Sequence, residues 1–152
     1  MSTLWYVSLE LTGEVVDESE LKRMAEVSNP SLLLWIKFYK GILAAIFNDW
    51  DEAATQCDGL EVLLNDGYGG IEESQIMCFL CLTGVRKPKG KRMAIARRMR
   101  KRLQHFAQFA PHNMLGLSWL VEAETARFKT KPKAKSLYVS AMTQLHDDGI
   151  HC

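Results

Sequence analysis

Almost every apolar segment of this chain has helical length and carries its apolar residues at steps of three and four. Glycine, proline and asparagine turns separate these segments, which points to an all-α fold. Over Ser31–Asn48, Leu34, Trp35, Phe38, Ile42, Ala45 and Ile46 form one broad stripe. Pro30 suits the first turn of that helix, and Asn29 can cap it. Asn48-Asp49 breaks the pattern. Asp51-Glu52 then opens a second helix that carries Cys57, Leu60, Val62 and Leu63 and stops at Asn65-Asp66-Gly67, before a glycine-rich loop over Gly67–Gly70. A third helix is expected over about Glu72–Val85 and a fourth over about Lys91–Ala110, with the basic turn Arg86-Lys87-Pro88-Lys89-Gly90 between them. Asn113 is placed to cap a fifth running to about Phe128, and Lys129–Pro132 turns the chain into a last helix over Lys133–His146. Ahead of these, Leu4–Leu11 suits either strand or helix, and Asp17-Glu18-Ser19-Glu20 leads a short helix through Met24 and Val27.

Length and composition agree with one such domain. A chain of 152 residues can bury roughly 70% of its unfolded surface without disulfide or metal. The 47% apolar content and four Trp argue against disorder. The longest apolar run, Ser31–Phe47, falls short of a span and is interrupted by Lys37 and Lys40. The first residues lack the basic flank and cleavage site of a secretory signal, so a cytoplasmic protein is expected. Cys78 and Cys81 form a C-x-x-C in an apolar helical stretch with no matching second ligand pair, and with Cys57 they read as small core residues. Residues 1–28 form an N-terminal helical or irregular segment, and 29–152 a helical region containing the basic helix 91–110.

Charge is the second constraint. Residues 1–85 hold 4 Lys/Arg against 14 Asp/Glu, and residues 86–152 hold 15 against 4, so a net charge of +1 conceals halves of −10 and +11. Ten of the cations lie in the seventeen residues Arg86–Arg102. In the helical part, Ile95, Met99, Leu103, Phe106 and Ala110 share one stripe, and Arg92, Arg97, Arg98, Lys101 and Arg102 make the candidate binding face. The simplest expectation is that the stripe packs inward while the cations stay hydrated or are offset by an acidic surface from residues 49–73. A basic amphipathic helix also suits a calmodulin-like groove, an anionic membrane or a phosphate backbone. Nucleic-acid binding calls for aromatics interleaved with the cations, whereas Phe106 and Phe109 are assigned to the far end on the core side. Nucleic acid and membrane surfaces are therefore not the expected partners.

The spacing Gly41, Ala44, Trp50, Ala53, Cys57, Leu60 gives G-x2-A-x5-W-x2-A-x3-C-x2-L, which resembles the tetratricopeptide (TPR) helix–turn–helix. Small residues let two helices approach, and the aromatic fills the end at the turn. Ala134, Tyr138 and Ala141 repeat the second-helix part, and Trp35 joins the packing positions. The expected architecture is antiparallel helix pairs stacked as a short TPR-like α-solenoid.

Asn29-Pro30-Ser31-Leu32-Leu33-Leu34-Trp35-Ile36-Lys37-Phe38-Tyr39-Lys40, followed by Asn48-Asp49-Trp50-Asp51-Glu52-Ala53, resembles part of a family of very large signalling proteins. In these, a protein-kinase-like domain and an AAA-type ATPase precede a helical-repeat region, with GAF and histidine-kinase modules after it. A second block, Ala110–Leu115 with Leu120–Phe128 and Ala134–Tyr138, agrees in order and spacing, so the resemblance covers roughly 28–146. The resemblance implies a repeat segment of a longer protein, acting as a scaffold for a protein or an adjacent domain. The ATPase and kinase motifs themselves are missing from this sequence, as are hydrolase and zinc-protease signatures. No catalysis, cofactor, metal or small-molecule substrate is expected. The alternative is a binding module built on helix 91–110.

Overall fold

In the computed structural model, the residues described are 30–64, 71–127 and 130–147, with Ser19 and Arg23. Their regular structure is entirely helical: α1 Pro30–Ile46, α2 Trp50–Cys57, a 3-10 turn Leu60–Leu64, α3 Ile71–Arg86, α4 Gly90–Phe109, α5 Pro111–Arg127 and α6 Lys131–Asp147. Two compact units divide the chain, residues 1–65 and 66–152. The expectations for Leu4–Leu11, the Asn29 cap and the Gly67–Gly70 loop lie outside the described residues, as does most of the short helix expected after Asp17. Of that helix only Ser19 and Arg23 are described, and both are helical.

In the first unit, α1 packs against α2 and the 3-10 turn. Phe38 is fully buried, and the Trp35 ring meets it edge-on at 5.8 Å between centroids. The stripe expected on α1 is rotated at two places: Ile36 is buried, whereas Ile46, the last helical residue, is 70% exposed. A helix apolar over most of its circumference does not fix its own rotation from sequence alone. Asn48 ends the helix with φ of 63°, a left-handed conformation that asparagine tolerates. Asp49 then caps α2, its Oδ1 accepting the Glu52 N–H at 3.1 Å. Asp49→Ala is expected to cost about 1 kcal/mol of stability, read as a lower midpoint in urea unfolding.

The second helix is shorter than its spacing suggested. It ends at Cys57 rather than running through Leu63, because Gly59 takes φ of +91° and resets the chain into the 3-10 turn. Lys37 Nζ donates to the Asp58 carbonyl at 2.9 Å, so a cation that interrupts the apolar run of α1 covers the C-terminus of α2.

In the second unit, α3 is the central element. Ile76 through Cys81 are buried in succession, as are Ser74 and Thr83, whose hydroxyl donates to the Phe79 carbonyl. The face that α4 buries is Ala96, Met99, Leu103 and Ala107, so the expected stripe is turned: Ile95 and Phe106 are half-buried, and Ala110 caps the helix instead of belonging to it. Alanines allow the closer approach. α5 starts at Pro111, which places Asn113 inside the first turn and not at the cap, since proline's fixed φ favours that position. α6 likewise starts at Lys131, with Pro132 in its first turn. Neighbours α3–α4 and α5–α6 pack as pairs across short turns, and α5 also packs against both helices of the preceding pair. Contacts of α6 with α3 and α4 are marginal at most.

Candidate functional site

α4 carries seven Lys/Arg and no acid in twenty residues, and the fold sorts six of these cations into two sets. One set points sideways into carboxylates or a backbone carbonyl. Arg100 holds Glu122 of α5 with two parallel bonds, Nε to Oε1 at 2.5 Å and Nη2 to Oε2 at 2.6 Å. Gln104 adds a third bond to the same carboxylate at 2.8 Å. On the opposite flank, Arg102 donates to Glu73 at the start of α3 and lies over the Phe106 ring, 5.4 Å from its centroid. Arg92 reaches the Lys87 carbonyl. These contacts fasten α4 to its neighbours.

A related bridge closes the other end of α3. Arg86 Nη2 donates to Glu124 Oε1 at 2.8 Å, the Tyr138 hydroxyl donates to the same oxygen, and Arg127 stands 3.7 Å away. Glu124 is only 7% exposed. It ties α3, α5 and α6 through one carboxylate. Burial, the bond to Glu124 and the negative charge of Glu124 raise the Tyr138 pKa from 10.0 to about 12, against the opposing pull of Arg127 and Arg86. Between pH 10 and about 12 the unfolded chain releases this proton while the folded chain keeps it, so stability falls as pH rises through that window. Ultraviolet titration of phenolate is expected to show one late tyrosine that Tyr138→Phe removes; a profile unchanged by that substitution would contradict the assignment.

The second set of cations faces outward. Arg97, Arg98 and Lys101 are exposed, and no carboxylate among the described residues pairs with them; Arg97 rests against the Met93 sulfur at 3.1 Å. Of the five candidate binding residues, three therefore lie on the surface with no carboxylate partner among the described residues, while Arg92 and Arg102 are engaged internally. The offset expected from residues 49–73 is supplied in this unit by Glu73 together with Glu122 and Glu124. Glu122 and Glu124 are two residues apart on α5 and so point to different faces of the helix. That same divergence lets them serve two different arginines.

The expected packing positions differ in burial. Gly41, Ala53, Cys57, Ala134 and Ala141 are buried, and Trp35, Ala44, Trp50 and Tyr138 are half-buried. Trp50 Nε1 donates to Asn48 Oδ1 at 3.1 Å, fixing the indole at the turn. Cys78 and Cys81 lie in the core of α3, and the Cys81 thiol faces the Ala96 carbonyl at 3.4 Å. Among the described residues no group of three His, Cys, Asp or Glu is arranged to hold a metal ion, and no helix is long and apolar enough to cross a membrane. A cleft of about 560 Å³ opens among α3, α4 and α5, with Arg86, Arg97 and Arg100 at its edge and Val85, Met93 and Val121 in its wall. No family model, curated protein or solved structure matches the chain.

Proposed function

We propose that the chain is a non-catalytic scaffold, a TPR-like α-solenoid segment of a multidomain ATPase/kinase signalling protein, working in the cytoplasm by presenting helix faces to a protein or an adjacent domain. One observation carries the solenoid reading. α5 packs on both helices of the pair before it, whereas α6 packs essentially on α5 alone. A closed four-helix bundle brings its last helix back against its first, and a stacked array does not. Small residues at the closest crossings support the same reading: Gly84 of α3 lies against Ala96, and Gly116 of α5 against Leu145 of α6.

Two experiments test it. A crystal or solution structure of the full chain is expected to show α6 meeting α3 only at the Arg86–Glu124–Tyr138 bridge; α6 docked along the length of α3 would sink the solenoid. The transcript around the coding region is expected to continue in frame into an ATPase domain upstream and further helical repeats downstream. Stop codons close on both sides would remove the proposed origin.

A further inference from the structure

The exposed side of α4 carries an aromatic ring that the sequence pattern placed on the core side. This ring, Phe109, is 74% exposed. His105, one turn earlier and also exposed, meets it edge-on at 5.0 Å between centroids and 70° between planes. Arg97, Arg98, Lys101, His105 and Phe109 follow one another at helical steps of one, three and four, so they occupy a single face. At 1.5 Å per residue this face runs for about 18 Å. Three cations and then two aromatic rings thus follow one another along a single exposed face.

We propose that this face binds single-stranded nucleic acid, with Arg97, Arg98 and Lys101 on the phosphates and the His105–Phe109 pair as a platform on which a base stacks. The electrostatics of the unit favour a polyanion. Residues 66–152 hold 15 Lys/Arg against 7 Asp/Glu, a net +8, and Glu73, Glu122 and Glu124 are already engaged by Arg102, Arg100 and Arg86. The cations of the outer face keep their field.

Three other occupants fit less well. A membrane would need apolar surface to bury, yet Met99 and Leu103 are committed to the core and the outer face offers one large apolar residue. A duplex keeps its bases stacked on each other and leaves the rings without a partner, whereas an unpaired base presents its π-face to them. An acidic protein would satisfy the cations but makes no particular use of the exposed rings.

Fluorescence anisotropy of the full chain with a labelled oligothymidylate of about 15 nucleotides tests the proposal. Three phosphate contacts predict a roughly 20-fold loss of affinity between about 50 and 200 mM salt. Arg97→Glu/Arg98→Glu/Lys101→Glu is expected to abolish binding, and Phe109→Ala to weaken it roughly 10-fold. Lys131→Glu/Lys133→Glu/Lys135→Glu, an equal change of charge on exposed lysines of α6, is expected to change it less than about 3-fold, because these residues lie off the face. Circular dichroism checks that each variant keeps its helices. If the α4 triple variant does not, Arg98→Ala, removing one exposed contact, is expected to weaken binding by about 3- to 5-fold. The proposal is overturned by absence of binding at low salt, by equal losses in the α4 and α6 variants, or by a Phe109→Ala chain that binds normally. Equal affinity for a duplex, or tighter binding to phosphatidylcholine vesicles containing phosphatidylserine, overturns it as well.

Discussion

Gly84→Ala is expected to destabilise the second unit by about 2 kcal/mol, the cost of forcing one extra carbon into a filled helix crossing. A Cβ on Gly84 would overlap the Ala96 Cβ and come within 3.2 Å of the Arg92 carbonyl oxygen. Neither obstacle is the far end of a flexible side chain, so α3 and α4 must move apart. In an exposed helix the same change would stabilise, since alanine is the better helix former by about 1 kcal/mol. The sign of the measured effect therefore separates close packing from propensity. A second substitution sharpens the test. Ala96→Gly alone should cost about 1 kcal/mol through propensity, but in the Gly84→Ala background it removes the overlap. The pair is expected to be more stable than Gly84→Ala alone, with a coupling of about 1–2 kcal/mol in a double-mutant cycle. Urea unfolding followed by circular dichroism reads both terms, and simple additivity would mean that the two helices do not meet there.

How far such features were legible in the sequence depends on whether they are local. Helix positions follow from periodicity and from turn residues, so α1, α3 and α4 begin and end within one or two residues of their expected bounds. Local chemistry misled at α2, where Asp58-Gly59 is a turn signal masked by the apolar residues that follow it. It misled again at α5, where Pro111 takes the first turn and Asn113 looked like the cap. The rotation of a helix is a different kind of quantity. Whether α4 turns Ile95 and Phe106 or Ala96 and Ala107 inward depends on how closely α3 approaches, and that is set by Gly84. Phe109 is exposed because the buried face runs through Ala107 and the helix then ends.

Pairing of charges is likewise a three-dimensional property. The sequence shows an acidic first half and a basic second half, which suggests that the halves offset each other. In the second unit, Arg100 and Arg86 instead find Glu122 and Glu124, two of the four acids in the basic half. The relevant separations, 22 and 38 residues, carry no local signature. Among the described residues, exposed cations without a carboxylate partner include Arg97, Arg98 and Lys101 on the outer face of α4 and the lysines at the start of α6, which is far more specific than a net charge.

Glu124→Ala is expected to be among the most damaging changes of a polar side chain in the second unit, with a loss of about 3 kcal/mol. The substitution does more than delete one ion pair. It strips the acceptor from Arg86, from the Tyr138 hydroxyl and from nearby Arg127 at a position only 7% exposed. Leaving a partly buried guanidinium without its counter-charge costs more than the pair itself contributes, because that group was desolvated on the strength of it. Glu124→Gln keeps the shape and an acceptor oxygen, so about half of that loss is expected. Glu124→Leu combined with Arg86→Met removes both charges and should recover much of the stability lost in Glu124→Ala, since apolar pairs of similar volume often replace buried ion pairs at little cost. The tyrosine gives an independent readout. With the neighbouring negative charge gone, the Tyr138 pKa in Glu124→Gln should move down from about 12 toward 10.0, while burial still holds it above that value. A Glu124→Gln chain whose late tyrosine titrates unchanged would show that Glu124 does not hold Tyr138, whatever the stability measurements report.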